Sequence, residues 1–190
     1  MTSAESNPPK YPILDDIEVP GNVLESWQVT ADLLAEITDT PAAIIMRVHA
    51  NEIEVIVSSQ SPGNVYRPGE RSVLDMGLYC ETVMSIRREL QVPNALKDPD
   101  WIHNPDLKRG MISYCGLPLI WSAGHIFGTL CILDDKENAH NPQIHHLMER
   151  FRDSIQLNLA NIYESSLSRS QSEKAESALQ DSKHRFHRLF

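Results

Sequence analysis

Three thiols, Cys80, Cys115 and Cys131, have the widest chemical reach of any side chains in this 190-residue chain. An odd number with no CxxC spacing argues against a disulfide framework or a structural zinc site. Each lies among apolar neighbours, where cysteine packs as a small hydrophobe unless something activates it. Cys80 has the best case for activation, since residues 78–88 read as a helix whose N-terminal dipole would lower a thiol pKa. Apolar Tyr79 and Val83 act the other way, and Glu81 is the one base beside it in sequence. The histidines offer less. His103 reads as part of an exposed turn rather than an axial haem ligand. His140, His145 and His146 lack the i,i+4 spacing of a metal pair and read as solvated. A glycine-rich phosphate loop, a Ser-His-Asp set and HExxH are all missing. No metal site and no cofactor is expected.

Binding is the second chemistry these residues can support. Tyr79, Trp101 and Tyr114, with the small residues of two apolar runs, are suited to line a pocket. Alternation places Ser113, Cys115 and Leu117 on one face of their strand, and Thr129, Cys131 and Leu133 on one face of theirs. If the two faces coincide, the pocket has an apolar wall with Ser113 and Thr129 as polar groups, which suits a small neutral ligand. The alternative is that the same residues only fill a core.

The elements that would hold them centre on residues 111–135, MISYCGLPLIWSAGHIFGTLCILDD. Runs 112–121 and 126–133 flank the turn Ser122-Ala123-Gly124, which is hairpin length. Neither run alternates cleanly, so both faces of these strands should be covered. Gly116 and Gly128 leave gaps for a backbone or a ligand. Upstream, residues 1–18 form a proline-containing polar arm. Val23, Trp27, Thr30, Leu34 and Ile37 then make one helical stripe that Asp39-Thr40-Pro41 ends. Residues 42–49 and 52–59 read as an antiparallel strand pair, 60–69 as loop, 89–95 as a strand demoted to an edge by Pro93, and 97–110 as loop. From residue 143 onward no strong helix breaker occurs, and Ile144, Leu147, Met148, Phe151, Ile155, Leu159 and Ile162 recur at helical spacing. Continuous to the end, that helix would be ~70 Å long. Its stripe thins beyond Leu167, so it needs a partner. A homodimer is expected, joined through Trp27, Leu34, Met148, Phe151, Ile155, Leu159 and Ile162.

Bulk properties narrow the class. The net charge is −9, and residues 1–40 hold eight acidic side chains against one basic. General nucleic-acid binding and docking on anionic membranes are therefore disfavoured. No apolar run approaches the ~20 residues that span a bilayer, and MTSAESNPPK lacks the apolar core of a signal peptide. A cytoplasmic location is expected.

Several motifs, in order, resemble the GAF domain family. GLPLIWSAGHIFGTLCILDD is similar to its last strands, "PL…GhxxGtLCvlD". Gly77-Leu78-Tyr79-Cys80-Glu81 resembles the "glC" helix start and Val92-Pro93-Asn94-Ala95 the "vpDa" strand. Asp98-Pro99-Asp100-Trp101 with Asn104-Pro105 resembles the "Dpxfxxxp" loop. The resemblance covers residues 20–165. It implies an α+β, three-layer domain: a central, mostly antiparallel sheet with helices 22–38 and 143–165 on one face and a ligand-side cover, 79–83 and 97–109, on the other. It also implies the N-terminal sensor module of a bacterial signalling protein such as a histidine kinase of a two-component system or a diguanylate cyclase. The cyclic-nucleotide signature of the family is missing. Cys115 precedes Gly116 and Cys80 precedes Glu81, unlike the Cys-His of bilin attachment. One branch, the free methionine-(R)-sulfoxide reductases, has a Cys near the position of Cys80, but the loop 100–110 holds no second Cys here, so no enzyme is expected. Residues 181–190, DSKHRFHRLF, resemble the opening of a PAS domain. The expected order is arm 1–18, GAF-like domain 19–165, helical linker 166–181 and PAS-like start 182–190. The expected function is small-molecule sensing, with pocket occupancy coupled to the exit helix and a downstream PAS, kinase or cyclase domain. The alternative is a ligand-free dimerisation or spacer domain.

Overall fold

A computed structural model describes Leu14 and residues 16–187, with side chains to residue 180. Most of the expected polar arm, and the side chains and last residues of the PAS-like stretch, lie outside the described residues. The first helix, α1 (Gly21–Thr38), buries Trp27, Ala31, Leu34, Ala35 and Thr38; Trp27 and Leu34 of the expected stripe face the sheet, while Val23 and Thr30 are half-buried and Ile37 is turned out to 52% exposure. It stops where Asp39 turns left-handed (φ 51°) and its N–H bonds the carbonyls of Ala35 and Glu36.

Six strands follow: β1 (Ala42–Val48), β2 (Glu52–Ser58), β3 (Arg71–Val73), β4 (Leu90–Val92), β5 (Ser113–Ile120) and β6 (Ile126–Asp134). They form one sheet in the order β3-β2-β1-β6-β5-β4, and every neighbouring pair is antiparallel. β4 sits at the edge, as Pro93 requires, but it is only three residues long. β3 arises inside what reads as loop and continues onto α2 (Tyr79–Ile86), and two 3-10 turns, Ala95–Lys97 and Pro105–Arg109, interrupt the later loop. β5 and β6 are buried along nearly their whole length, so the missing alternation does signal cover on both faces.

The sheet divides two cores. On one face α1 and the last helix, α3 (Pro142–His187), pack Trp27, Leu34, Trp121, Phe127, Met148, Ile155 and Leu159 against Ala43, Ile45 and Leu130. Trp27 and Trp121 meet Phe127 edge-on at 5.7 and 5.2 Å between ring centres. The Trp27 indole N–H donates to Asn158 Oδ1 at 2.9 Å, tying α1 to α3. On the other face α2 and the loop 95–109 cover Ile44, Met46, Ile53, Val55, Tyr114, Cys131 and Leu133. A bulge in β2 sorts its residues between the cores: the pairing steps from Ile45–Val57 to Met46–Val55, leaving Ile56 extra. Val57 consequently faces the helices, while Ile53 and Val55 face the cover.

The α3 stripe is used up inside the protomer. Trp27, Leu34, Met148, Ile155 and Leu159 are all at most 1% exposed, and Phe151 and Ile162 pack partly buried on the same core. This corrects the reading of Trp27, Leu34, Met148, Ile155 and Leu159 as dimer contacts, because the sheet itself needs that apolar cover. α3 runs for 46 residues, ~69 Å at 1.5 Å per residue. Every described side chain from 167 to 180 is exposed. Among the described residues no helix is long and apolar enough to cross a membrane.

Candidate functional site

The site lies between the sheet and the cover. Its start is fixed by Glu81, buried at 7% exposure. The Glu81 carboxylate accepts the backbone N–H groups of Asp75 (2.8 Å), Met76 (3.1 Å) and Leu78 (3.1 Å). A carboxylate at the third helical position satisfies donors that a helix start leaves open and complements its dipole. It therefore anchors the first turn of α2, which carries Tyr79 and Cys80. Tyr79 lies between Tyr114, stacked at 4.7 Å, and Trp101, tilted at 5.0 Å. Its hydroxyl is buried without a hydrogen-bond partner among the described residues, and burial pushes its pKa up.

Beneath this aromatic stack sits a sulfur–hydroxyl cluster. Thr129 Oγ1 donates to Cys80 Sγ at 3.3 Å and lies 3.9 Å from Cys131 Sγ. Tyr114 Oη is 3.5 Å from Cys80 Sγ. Hydrogen bonds from Cys131 and then Thr129 draw the Cys80 thiol down while burial drives it up. Burial pushes the Cys131 thiol well up. The opposed effects expected at Cys80 are both present, with neighbouring hydrogen bonds as the lowering influence. Glu81 is no base for Cys80, since three backbone donors occupy its carboxylate. The structure does bring a second thiol, Cys131, beside Cys80, which corrects the expectation that Cys80 lacks a companion. The loop 100–110 is the wrong place to seek it, because the companion comes from β6.

Beside the cluster is a small cavity of about 30 Å³, bounded by Met46, Val55, Tyr66, Cys80, Asp106 and Tyr114 among others. Its rim is polar. Tyr66 Oη donates to Asp106 Oδ1 at 2.8 Å, and the Arg109 guanidinium lies 5.1 Å over the Tyr66 ring. Arg109 also donates to Glu70 Oε2 at 2.8 Å. Burial raises the Asp106 carboxyl above its ordinary range, only partly offset by Tyr66 and Arg109. Asn104 Nδ2 donates to the Gly77 carbonyl at 2.9 Å, tying the loop to the entry of α2.

Of the residues expected at a pocket, Tyr79, Cys80, Tyr114, Thr129 and Cys131 gather here, and Trp101 caps them. Ser113, Cys115 and Leu117 do not. The hairpin pairs Tyr114 with Leu133 and Gly116 with Cys131, so even-numbered residues of β5 share a face with odd-numbered residues of β6. Cys115 and Leu117 belong to the helix-side core, and alternation puts Ser113 with them. The gap at Gly116 is filled by the Tyr114 ring, whose oxygen would lie 2.1 Å from an added Cβ. At Gly128 the Met46 carbonyl oxygen would lie 1.8 Å from one, so β1 takes that space. Asp106 and Arg109 lie in the stretch 97–109 that the resemblance sets over the ligand side, though neither is singled out by it, and Tyr66 joins the site without a sequence signal. They come from stretches whose composition reads as loop, and nothing local shows a loop folding over a sheet.

On the opposite face Cys115 meets Glu89 and His145, their ligand atoms all within 4.8 Å of one another. Burial and the Glu89 charge push the Cys115 thiol up to about 12. His140 is 8% exposed rather than solvated, and its Nε2 has no partner among the described residues.

The GAF domain family model matches residues 22–159. The fold resembles that of the phycocyanobilin-bound GAF domain from a cyanobacterial phytochrome, with TM-score 0.63 at 12% identity, covering 75% of this chain and 87% of that one. It is also similar to the GAF domain from an Acinetobacter phosphoenolpyruvate-protein phosphotransferase, with TM-score 0.60, 12% identity, 76% of this chain and 85% of that one. A third neighbour is a type II free methionine-R-sulfoxide reductase from Thermoplasma acidophilum, with TM-score 0.56, 11% identity, 73% of this chain and 92% of that one. No curated protein matched the chain by sequence. The matched model spans most of the chain, and the cover, sheet and paired helices lie where the motifs implied; the chain belongs to the GAF domain family.

Proposed function

We propose that this chain is a sensory or regulatory module in which the state of the space beneath α2 and the loop 95–109 is transmitted through α3. The observation that carries this reading is α3 itself. The helix starts against the sheet, packs Met148, Ile155 and Leu159 into the domain, and continues through residues 164–187 beyond its apolar stripe, about 36 Å of helix. A helix shared between a core and an exit can carry a bias to a following PAS, kinase or cyclase domain. That requires a ligand preferring one of two helix arrangements. The ligand side offers Tyr66, Asp106, Arg109, Cys80 and Thr129, which suits a small polar molecule. A cavity of about 30 Å³ is small beside the few hundred Å³ of a typical ligand site, so such a ligand lifts the cover. Few polar contacts oppose this, among them Tyr66–Asp106, Arg109–Glu70 and Asn104–Gly77. The small cavity also favours a second reading, a ligand-free dimerisation or spacer domain. Native mass spectrometry of the chain purified from its source separates the two. A stoichiometric bound molecule, lost in Asp106→Asn or Thr129→Val, supports sensing. Protein of apo mass throughout supports the spacer.

Catalysis is not included in the proposal. Cys80 is 8% exposed, and its neighbouring carboxylate is committed to three backbone N–H groups. Turnover of free methionine sulfoxide with a thiol reductant, abolished in Cys80→Ser, would overturn this.

A further inference from the structure

The corner where β4, β5 and α3 meet holds the one cluster of Cys, His and acidic side chains among the described residues with all ligand atoms close together. Glu89 precedes β4, Cys115 stands mid-β5 facing the helices, and His145 lies in the first turn of α3. Their Oε, Sγ and ring nitrogen atoms all fall within 4.8 Å of one another, and His145 Nδ1 is 2.6 Å from Glu89 Oε1. We propose that these three residues form a binding site for a thiophilic divalent cation, zinc by the chemistry of the donors, joining the first turn of α3 to the sheet.

The imidazole is oriented for ligation. His145 Nε2 lies 3.0 Å from the His140 carbonyl oxygen. A carbonyl only accepts, so Nε2 keeps its proton; Nδ1 shares a proton with Glu89 Oε1 at 2.6 Å and is the nitrogen freed for a metal when that proton leaves. A histidine held by one ring N–H on a backbone carbonyl while the other nitrogen ligates is the usual outer-shell arrangement of metal sites. The donor set excludes hard cations such as calcium and magnesium, which take oxygen ligands. Thiolate with imidazole and carboxylate selects zinc and its neighbours in the transition series. Charge agrees: a thiolate and a carboxylate neutralise a dication while the imidazole stays neutral, so no net charge is buried. Zinc bonds of about 2.0–2.3 Å place tetrahedral ligands about 3.3–3.7 Å apart, between the 2.6 Å of the Glu89–His145 pair and the 4.8 Å within which all three ligand atoms lie. Glu89 and His145 side chains are 29% and 24% exposed, which leaves an entry path and a fourth position for water. On binding, the Cys115 S–H bond breaks, a sulfur–metal bond forms, and the thiol proton passes to solvent with the proton shared by His145 and Glu89. No oxidation state changes.

The site stands on geometry alone; its consequence for α3 rests on the reading of that helix as the output. Cobalt(II) titration of the full 190-residue chain under reducing conditions tests the site directly. One cobalt per chain with the sulfur-to-cobalt charge-transfer absorption is expected, displaced by zinc. Cys115→Ser should remove that absorption, and His145→Asn and Glu89→Gln should each weaken zinc at least tenfold in competition with a chelator. His146→Ala, on the exposed neighbour, should change nothing. His145→Asn keeps the buried thiol and so remains informative if Cys115→Ser fails to fold. Cobalt spectra without the thiolate absorption, or zinc affinity unchanged in His145→Asn, would overturn the site. With the site established, a proteolytic or exchange signature of α3 that ignores zinc would refute only the output reading.

Discussion

Glu81→Ala should destabilise this domain more than any other exposed-looking charge in the sequence, and it should do so through the pocket roof. The carboxylate accepts three backbone N–H groups at 2.8–3.1 Å. Hydrogen bonds to a charged acceptor contribute about 1.5–3 kcal/mol each, and a buried donor left unpaired costs about 1–3 kcal/mol. The Leu78 N–H is buried, so its loss carries that full penalty, while those of Asp75 and Met76 are partly buried and rehydrate. Counting about 2 kcal/mol for Leu78 and about 0.5–1 kcal/mol for each of the two donors that rehydrate, the net loss is about 3–4 kcal/mol. For a chain of this length each 1 kcal/mol moves the melting midpoint by about 2–4 °C, which gives a drop of roughly 6–16 °C. Glu81→Gln keeps one acceptor oxygen and should lose about half as much. Urea unfolding followed by tryptophan fluorescence, with a thermal melt in parallel, measures both variants. A loss under about 1 kcal/mol for Glu81→Ala would refute the assignment of this carboxylate as the anchor of α2.

Three further outcomes follow from the same packing. Burial raises the Asp106 carboxyl, so the folded state holds that proton more tightly than the unfolded chain; its contribution to stability is present at low pH and is lost as pH rises through the folded pKa. Asp106→Asn should therefore gain stability relative to the parent as pH rises from the ordinary carboxylate range towards neutrality, and urea midpoints that keep a constant difference across that range would contradict this. Thr129→Trp and Cys115→Trp should each cost at least about 1–3 kcal/mol by overpacking, since the cavity is about 30 Å³ and Cys115 faces the opposite core; an unchanged melt for Thr129→Trp would reveal room the structure does not show. Gly128→Ala should cost about 3 kcal/mol or more, because the added Cβ meets the Met46 carbonyl oxygen on a paired strand, and a wild-type melting midpoint would count against that register.

Much of the fold is legible in the sequence where one residue pattern has one solution. The existence of α1 with Trp27 and Leu34 inward, the doubly buried β5–β6 hairpin and the edge position forced on β4 by Pro93 are of this kind. What alternation leaves open is which face of β5 meets which face of β6. That depends on the pairing, and a shift of one residue exchanges every side chain. Alternation alone lets Ser113, Cys115 and Leu117 face the pocket, and the pairing of Gly116 with Cys131 turns them away. The polar rim is illegible for a different reason. Tyr66 and Asp106 are 40 residues apart and meet only because two loops fold over the same sheet face. The corner of Glu89, Cys115 and His145 is non-local in the same way, and i,i+4 spacing is the wrong test when each ligand comes from a different stretch of chain.

Because the α3 stripe covers the sheet, a dimer interface has to lie on another surface. Ile155→Glu would place a charge at a position 1% exposed, so it should unfold the protomer rather than separate one copy from another. What remains for a partner is the outer surface of the helix pair. On α1, Val29, Leu33 and Ile37 are 59%, 43% and 52% exposed and recur every four residues, two positions on from the buried Trp27, Ala31 and Ala35. At 100° per residue they form one stripe turned away from the sheet. Leu157 on α3 is 63% exposed and stands in the same relation to Ile155, and the Trp27–Asn158 contact sets the two helices side by side. A homodimer would have to cover this face together with the solvent-exposed continuation of α3, where Leu167 and Leu179 are 45% and 56% exposed. Leu33→Glu and Leu157→Glu should therefore shift the chain towards monomer in light scattering while leaving its melt within about 1 kcal/mol of the parent, as surface changes do. A parent chain that is monomeric at high micromolar concentration would end the dimer reading, and a Leu33→Glu, Leu157→Glu double variant that still dimerises would move the interface elsewhere.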